Sequence, residues 1–497
     1  MATELNHPLP QYLEIETPIE RQTTIPKTAR LLNRFIFCAL LGLLVLVAVP
    51  YGTVEPWSEA FFECSIFALT VLWIIEGFIL GSWQISERAL MLPLLALVGF
   101  ALLQAVPFGR VPETLDIQAS FWPAISADPY NTIRFALKLS ALILAGQLFL
   151  SHVKSQKRLR LLVMTIISVA IGSALFGLLR QTVQRDIAGF LLPYLPLNAG
   201  YGQFINSNHF AFLMELTLGL PLSLIMARRF GRERWLLLLG LATPLLLALV
   251  LSNSRGGLLG LSGEVLLIML FSNYIRRRAP GDEVWQTGIG ARIGRIAQSS
   301  LFRLSIGAIF LLVLLIGITW VGGDPLINKL EAVSGEVSEV GDATREGTRR
   351  IEIWRATREL IVDNPIVGVG FGGYWVAIPR YHNASGKLIP QEAHNDYLEI
   401  LASGGIVGAG IALWFLVVFV RRLKQHLQTI TSERQRAVCV GAVAGVFAVA
   451  IHSLVDFGLH ITINALILTA LIAITVSQAT DSVGEDKKLL FRLTPKV

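Results

Sequence analysis

Long apolar runs recur along this chain, separated by short polar stretches, and each is close to the roughly 20 residues a helix needs to cross a bilayer core. They fall at Phe35–Val54, Ala60–Leu80, Ala89–Val106, Thr132–Leu150, Leu161–Leu179, Phe210–Ala227, Trp235–Leu251, Gly256–Ile275, Leu304–Val321, Leu398–Val420, Ala437–Leu454 and Ile461–Val476. The pattern predicts an all-α, polytopic integral membrane protein of about 12 transmembrane helices. It divides the chain into a tail at 1–34, spans one to nine at 35–321, a loop module at 322–396, spans ten to twelve at 397–478, and a second tail at 479–497. The polar start and the absence of a small-residue cleavage pattern after the first run argue against a cleaved signal peptide.

Composition agrees: 53% of the 497 residues are hydrophobic and only 15% are charged, against about 25% charged in soluble domains. The net charge of +7 does not point to nucleic acid, because the basic residues form short clusters between apolar runs rather than one continuous face. With the amino terminus inside, about two thirds of the 42 Lys and Arg fall on the inner side, which predicts both termini inside. Cys38, Cys64 and Cys439 all lie in apolar runs, with neither a disulfide framework nor zinc-ligand spacing.

The longest outer segment, Gly322 to Asp396, is long enough to fold as a small module. Within it, Thr344–Asp363 carries an apolar stripe of Ile351, Trp354, Ala356, Leu360 and Ile361 among charges and stops at Asn364-Pro365, which predicts a surface-lying amphipathic helix. The glycines that follow, Gly368, Gly370, Gly372 and Gly373, fit a phosphate cradle or a tight loop packed near the membrane interface. Without a nucleotide-type helix start after them, the tight loop is the better reading.

Ionisable residues at membrane depth are costly and therefore informative. Arg255 lies where the chain re-enters the bilayer, and Gly256-Gly257 beside it let a bulky anion approach the backbone. Arg134 and Lys138, one turn apart, share a face and could hold one anion. His394 stands just before the tenth span and suits a base, a metal ligand or a capping group. Glu392, His394 and Asp396 are near one another in sequence, but alternate spacing parts them on a helix, so no metal is expected. His452 and Asp456, at i and i+4, could pair with each other or with an outer cation, and Glu215 and Glu264 could be counter-charges for the arginines. The chain has neither an Asp-x-Asp motif nor a P-loop, so the usual handles for a metal-bound sugar nucleotide or for ATP are missing. The inventory suits an anionic, lipid-linked substrate met from the outer side.

Five blocks give the chain a family resemblance: Gly202–Asn208, Ser252–Gly257, Arg350–Trp354, Asn364–Gly370 and His394–Leu398, with Asp128–Thr132 before them. Their order, and the long outer loop, resemble the bacterial O-antigen ligase and polymerase family over about residues 130 to 470. The resemblance implies a metal-independent membrane glycosyltransferase without a cofactor, sited in the bacterial inner membrane with both termini cytoplasmic and its site and helical loop periplasmic, and a base with phosphate-binding arginines suits one-step inverting transfer. Its donor would be an undecaprenyl-pyrophosphate-linked glycan. The acceptor would be a lipid A core sugar in a ligase, or another lipid-linked repeat unit in a polymerase. By motif position it implies His394 as the catalytic base and Arg255 and Arg350 as pyrophosphate ligands; Arg349 adjoins the latter, and the spacing to Trp354 favours Arg350. Asn208, Asp396, Arg134, Lys138, His452 and Asp456 stand as secondary site residues. A secondary transporter of a small anionic solute is the alternative from a different class. Against it stand the lack of a repeat between the halves and of paired broken helices at corresponding positions.

Overall fold

The computed structural model describes residues 26–82, 85–108, 124–183, 200–227, 232–275, 342–382 and 390–477, besides the isolated positions 305 and 312. Twelve helices of 15 residues or more organise it: α1 Lys27–Ala48, α2 Pro56–Leu80, α3 Arg88–Ala105, α4 Pro129–His152, α5 Gln156–Val183, α6 Ser207–Ile225, α7 Arg232–Leu251, α8 Arg255–Ile275, α9 Asp342–Asp363, α10 Asp396–Thr429, α11 Glu433–His452 and α12 Thr462–Val476. Ten of them, all but α9 and α12, are long and apolar enough to cross a membrane. The ninth expected span, Leu304–Val321, lies outside the described residues. The twelfth is α12, with 15 residues; at 1.5 Å per residue it covers about 22 Å, less than a roughly 30 Å hydrocarbon core.

Contacts between helix ends define two poles. At one, the starts of α2 and α4 meet through Glu59, Arg134 and Lys138, and the start of α6 reaches the turn after α11 through Asn208 and Asp456. At the other, Asn33 of α1, Glu76 of α2 and His152 of α4 bond one another, Arg436 of α11 bonds the last carbonyl of α8, and Arg422 near the end of α10 pairs with Glu87 just before α3. Helices that run alternately up and down satisfy their backbone groups internally, as a bilayer requires.

The centre of the bundle is α6, buried along nearly its whole length. It packs against α11 where both helices have small residues: a Cβ on Gly219 would stand 2.4 Å from the Gly441 carbonyl, and one on Gly445 would stand 2.6 Å from that of Leu216. Close backbone approach supplies dispersion contact that apolar side chains alone, no more apolar than lipid tails, would not favour.

The expected amphipathic helix is α9. Ile353, Ala356 and Leu360 are buried, Thr357 shares a hydrogen bond with the Tyr374 hydroxyl, and Trp354 Nε1 donates to the Ala393 carbonyl at 3.0 Å. The glycine-rich stretch after it is a packing element rather than an open cradle. α10 breaks at Gly405, whose φ of 57 and ψ of −159 are non-helical. Stretch 365–370 is spliced into that break. Ile406 and Val407 donate their N–H groups to the Pro365 and Ile366 carbonyls, while Val369 and Gly370 donate to those of Ala402 and Ser403. Gln104 of α3 ties the splice down by donating to the Val367 and Ser403 carbonyls. A broken helix is tolerated where neighbouring backbone takes up freed groups, as these bonds do.

Candidate functional site

Three helices begin at the same pole, each with a side-chain cap. Asn206 accepts the Asn208 N–H at the start of α6, Ser254 accepts the Gly257 N–H at the start of α8, and Asn395 accepts the Tyr397 and Leu398 N–H groups at the start of α10. All three touch one short segment, His452 to Asp456. Asn208 Nδ2 donates to Asp456 Oδ2 at 2.5 Å, the Asp396 N–H donates to the Ser453 carbonyl, and the Cα of Gly256 lies so close to His452 that a Cβ there would stand 2.3 Å from the ring. Helix N-termini carry partial positive charge and unpaired N–H groups, so their convergence favours an anion.

Asp456 is the hub of this pole. Its carboxylate, 1% exposed, faces Arg350 Nη2 at 3.4 Å, His394 Nδ1 at 3.8 Å and His209 Nε2 at 3.8 Å. Burial acts to raise its pKa, but His394, then the charges of His209 and Arg350, more than offset this and hold it down at about 2. The 3.8 Å separations are ion-pair distances, longer than hydrogen bonds. His394 Nδ1 and His209 Nε2 are both buried without a hydrogen-bond partner.

The backbone at His394 is constrained from both sides. The Ala393 N–H donates to Glu399 and its carbonyl accepts from Trp354, while Asn395 caps α10 and donates its Nδ2 to the Leu454 carbonyl. Between these anchors His394 adopts a left-handed φ of 51. For a residue with a Cβ this costs on the order of 1–3 kcal/mol, and such strain clusters at functional sites. Asn253, in the turn that delivers Arg255, has a φ of 55.

Arg255 is exposed as the first residue of α8 and makes no ion pair among the described residues. The Arg349 side chain lies outside the described residues. Arg134 and Lys138 converge on one carboxylate, Glu59, at 2.9 and 2.6 Å, and Lys138 also donates to the His460 carbonyl. Asp396 accepts the Ser453 hydroxyl at 2.6 Å.

Two sequence expectations are corrected. Glu215 does not balance an arginine: it lies fully buried at 3.0 Å from His452 Nδ1, and no described arginine pairs with Glu264. The reason is depth, because both carboxyl groups face the α6, α8 and α11 interior while the arginines stay at the pole. His452 consequently pairs with Glu215 instead of with Asp456; α11 ends at His452, so the two side chains no longer share a helical face.

His209 and His460 were not singled out from the sequence. Four of the chain's eight histidines, His209, His394, His452 and His460, gather at this pole, and three of them present ring edges to Phe457, with centroids 4.7, 4.8 and 5.7 Å away. The hint in the sequence is the Asp456–His460 segment, short and polar between two apolar runs. Beyond Phe457, His460 Nδ1 meets Glu392 at 3.3 Å and its Nε2 lies 3.9 Å from Asp396. Partial removal from water, with 40% of the His460 side chain still exposed, acts against the imidazolium, but the Glu392 carboxylate, its hydrogen bond and Asp396 outweigh it and raise the pKa to about 9. Burial likewise acts to raise the Glu392 pKa, and the His460 charge and hydrogen bond carry it down to about 2. Glu392, Glu399 and His460 have ligand atoms within 4.8 Å of one another, close enough to hold one cation. A protonated His460 supplies the same positive charge.

Residues 236–413 match the family model described as O-antigen ligase. That stretch contains Arg255, Arg350 and His394, whereas Asn208, His209, His452 and Asp456 lie outside it. A comparison with curated proteins finds no match.

Proposed function

From the O-antigen ligase family domain that residues 236–413 carry, we propose that this chain transfers a glycan from a lipid pyrophosphate to an acceptor hydroxyl at the pole where α6, α8 and α10 begin, and that this pole faces the periplasm. The donor is an undecaprenyl-pyrophosphate-linked glycan and the favoured acceptor a lipid A core sugar; a polymerase joining lipid-linked repeat units is the alternative within the same family. The observation that carries the reading is Asp456, which draws Arg350 and His394 from separate elements to one carboxylate.

In the proposed reaction His394, turned to Asp456 by Nδ1, takes the acceptor proton on Nε2 as the hydroxyl oxygen attacks the anomeric carbon. The bond to the pyrophosphate oxygen breaks with inversion, and its electron pair leaves on the phosphate. Charge grows on the leaving group through an oxocarbenium-like state. Arg255 and Arg350 meet that charge with planar, multi-donor guanidiniums, and the three helix N-termini add to it. Arginines in this role replace a metal, so no cofactor enters the scheme. The buried Asp456 acts as a positioning residue that favours the imidazolium as it forms, comparable to the carboxylate of a catalytic triad.

The test is His394→Ala in purified full-length protein given lipid-linked glycan and acceptor. Donor binding should persist while transfer falls about 10²–10⁴-fold, the usual worth of a general base. Full retention of transfer would remove His394 from the mechanism. Activity should also survive a chelator, and loss with EDTA that Mg²⁺ or Mn²⁺ restores would overturn the metal-free scheme. A product ladder without core acceptor would favour the polymerase.

A further inference from the structure

The pole opposite the candidate site contains a cavity of about 410 Å³, within the range of about 300–1,000 Å³ usual for ligand pockets. It lies among the start of α1, the ends of α2 and α4 and the start of α5, lined by Asn33, Trp73, Glu76, His152, Lys154 and Arg158 among others. We propose that it binds the phosphate of an anionic glycerophospholipid from the leaflet on that side.

The floor of the cavity is polar. His152 Nδ1 lies 2.9 Å from the Leu148 carbonyl, and Nε2 lies 3.1 Å from Glu76 Oε2. Asn33 Nδ2 occupies the other Glu76 oxygen at 2.6 Å. Both oxygens of the acid at the bottom are thus engaged by neighbours.

The rim, in contrast, is cationic. Lys154 and Arg158 stand there. Arg158 is held in place, donating to the His152 carbonyl at 2.8 Å with its guanidinium carbon 4.9 Å from the centre of the Phe37 ring. Ser155 accepts the Arg158 N–H, so the helix turn opens beside the same two cations. A phosphate at this rim would meet two positive side chains and the end of a helix together.

A lipid, not a soluble anion, fits the remaining wall. Trp73, Ile74 and Leu80 of α2 line the cavity, and the same helix exposes Ile75, Phe78, Ile79 and Leu80. Acyl chains could lie along that face while the headgroup enters the polar floor.

The experiment uses the full-length protein in a neutral detergent, with phosphatidylglycerol, phosphatidylcholine or inorganic phosphate added at fixed ionic strength. Bound lipid is counted by native mass spectrometry and stability is read by thermal unfolding. Phosphatidylglycerol should bind and raise the Tm, phosphatidylcholine should do neither, and Lys154→Gln should weaken phosphatidylglycerol binding on the order of fivefold, from about 1 kcal/mol per surface cation. Lys154 is exposed, so this variant should fold, and Arg158→Gln extends the test. Equal binding of both lipids, full binding by Lys154→Gln, or a Tm rise with inorganic phosphate alone would overturn the assignment. The His394→Ala protein should bind phosphatidylglycerol like the parent.

Discussion

His394 and Asp456 face each other across 3.8 Å, the histidine in a left-handed backbone and the aspartate 1% exposed. One comes from the turn before α10 and the other from the turn after α11, and the link between those turns is made by Asn395 and Asp396 bonding the Leu454 and Ser453 carbonyls. The relationship is thus built by one backbone and one side-chain bond to the carbonyls of the turn after α11, and His394 and Asp456 follow.

Asp456→Asn keeps the size and removes the charge. The amide retains contact with Asn208 but no longer favours an imidazolium at His394 or His209. We expect kcat to fall by about 10²-fold or more, with a smaller change in KM, because the loss concerns charge that develops during proton transfer. Steady-state kinetics of the purified variant check this. An unchanged kcat would leave Asp456 a structural residue only.

Gly256→Ala tests the contact between α8 and the Glu215–His452 pair. The new methyl would stand 2.3 Å from His452 Cδ2 and 2.4 Å from Nε2, and the ring is held by Glu215 on one side and stacked on Phe212 at 4.1 Å. The ring has little room, so the start of α8 must move, and Arg255 with it. Donor affinity should drop while the protein still inserts, as measured by binding of labelled lipid-pyrophosphate. Wild-type affinity in this variant would separate Arg255 from the pyrophosphate.

Gly405→Ala addresses the spliced break in α10. Its φ of 57 strains any residue with a Cβ, and the methyl would stand 2.4 Å from the Ile366 carbonyl carbon and oxygen. A loss of about 1–3 kcal/mol is expected from the backbone alone, seen as a lower Tm in detergent. A Tm equal to that of the parent would show that the splice yields freely.

The ion pair of His460 and Glu392 predicts a pH window. His460 is raised from 6.5 to about 9, so its contribution to stability is fully present below pH 6.5 and is lost as the pH rises through 9. Glu392 is lowered from 4.5 to about 2, so its contribution is present above pH 4.5 and lost as the pH falls through 2. Between pH 6.5 and 9 the Tm should decline, and His460→Gln should flatten that slope. An identical slope in the variant would mean that another group titrates there.

Local pattern along the chain is enough for the part of the molecule that depends on each segment alone. Runs of apolar residues set the spans because helix formation in a bilayer is a property of each segment, and the amphipathic stripe of α9 was legible for the same reason. Short blocks offer Arg255, Arg350 and His394 as candidates. The partners of these residues could not be named, because pairing at a pole joins ends of helices that are far apart along the chain. His209 and His460 carry no signal of their own in the pattern, and Glu215 reads there as a counter-charge for an arginine. It takes the packed bundle to gather Asn208, His209, Arg350 and His394 at Asp456, to give Glu215 to His452, and to place the glycine stretch in the break of α10. Each of these depends on which helix ends meet, which is settled by how α6, α8, α10 and α11 pack.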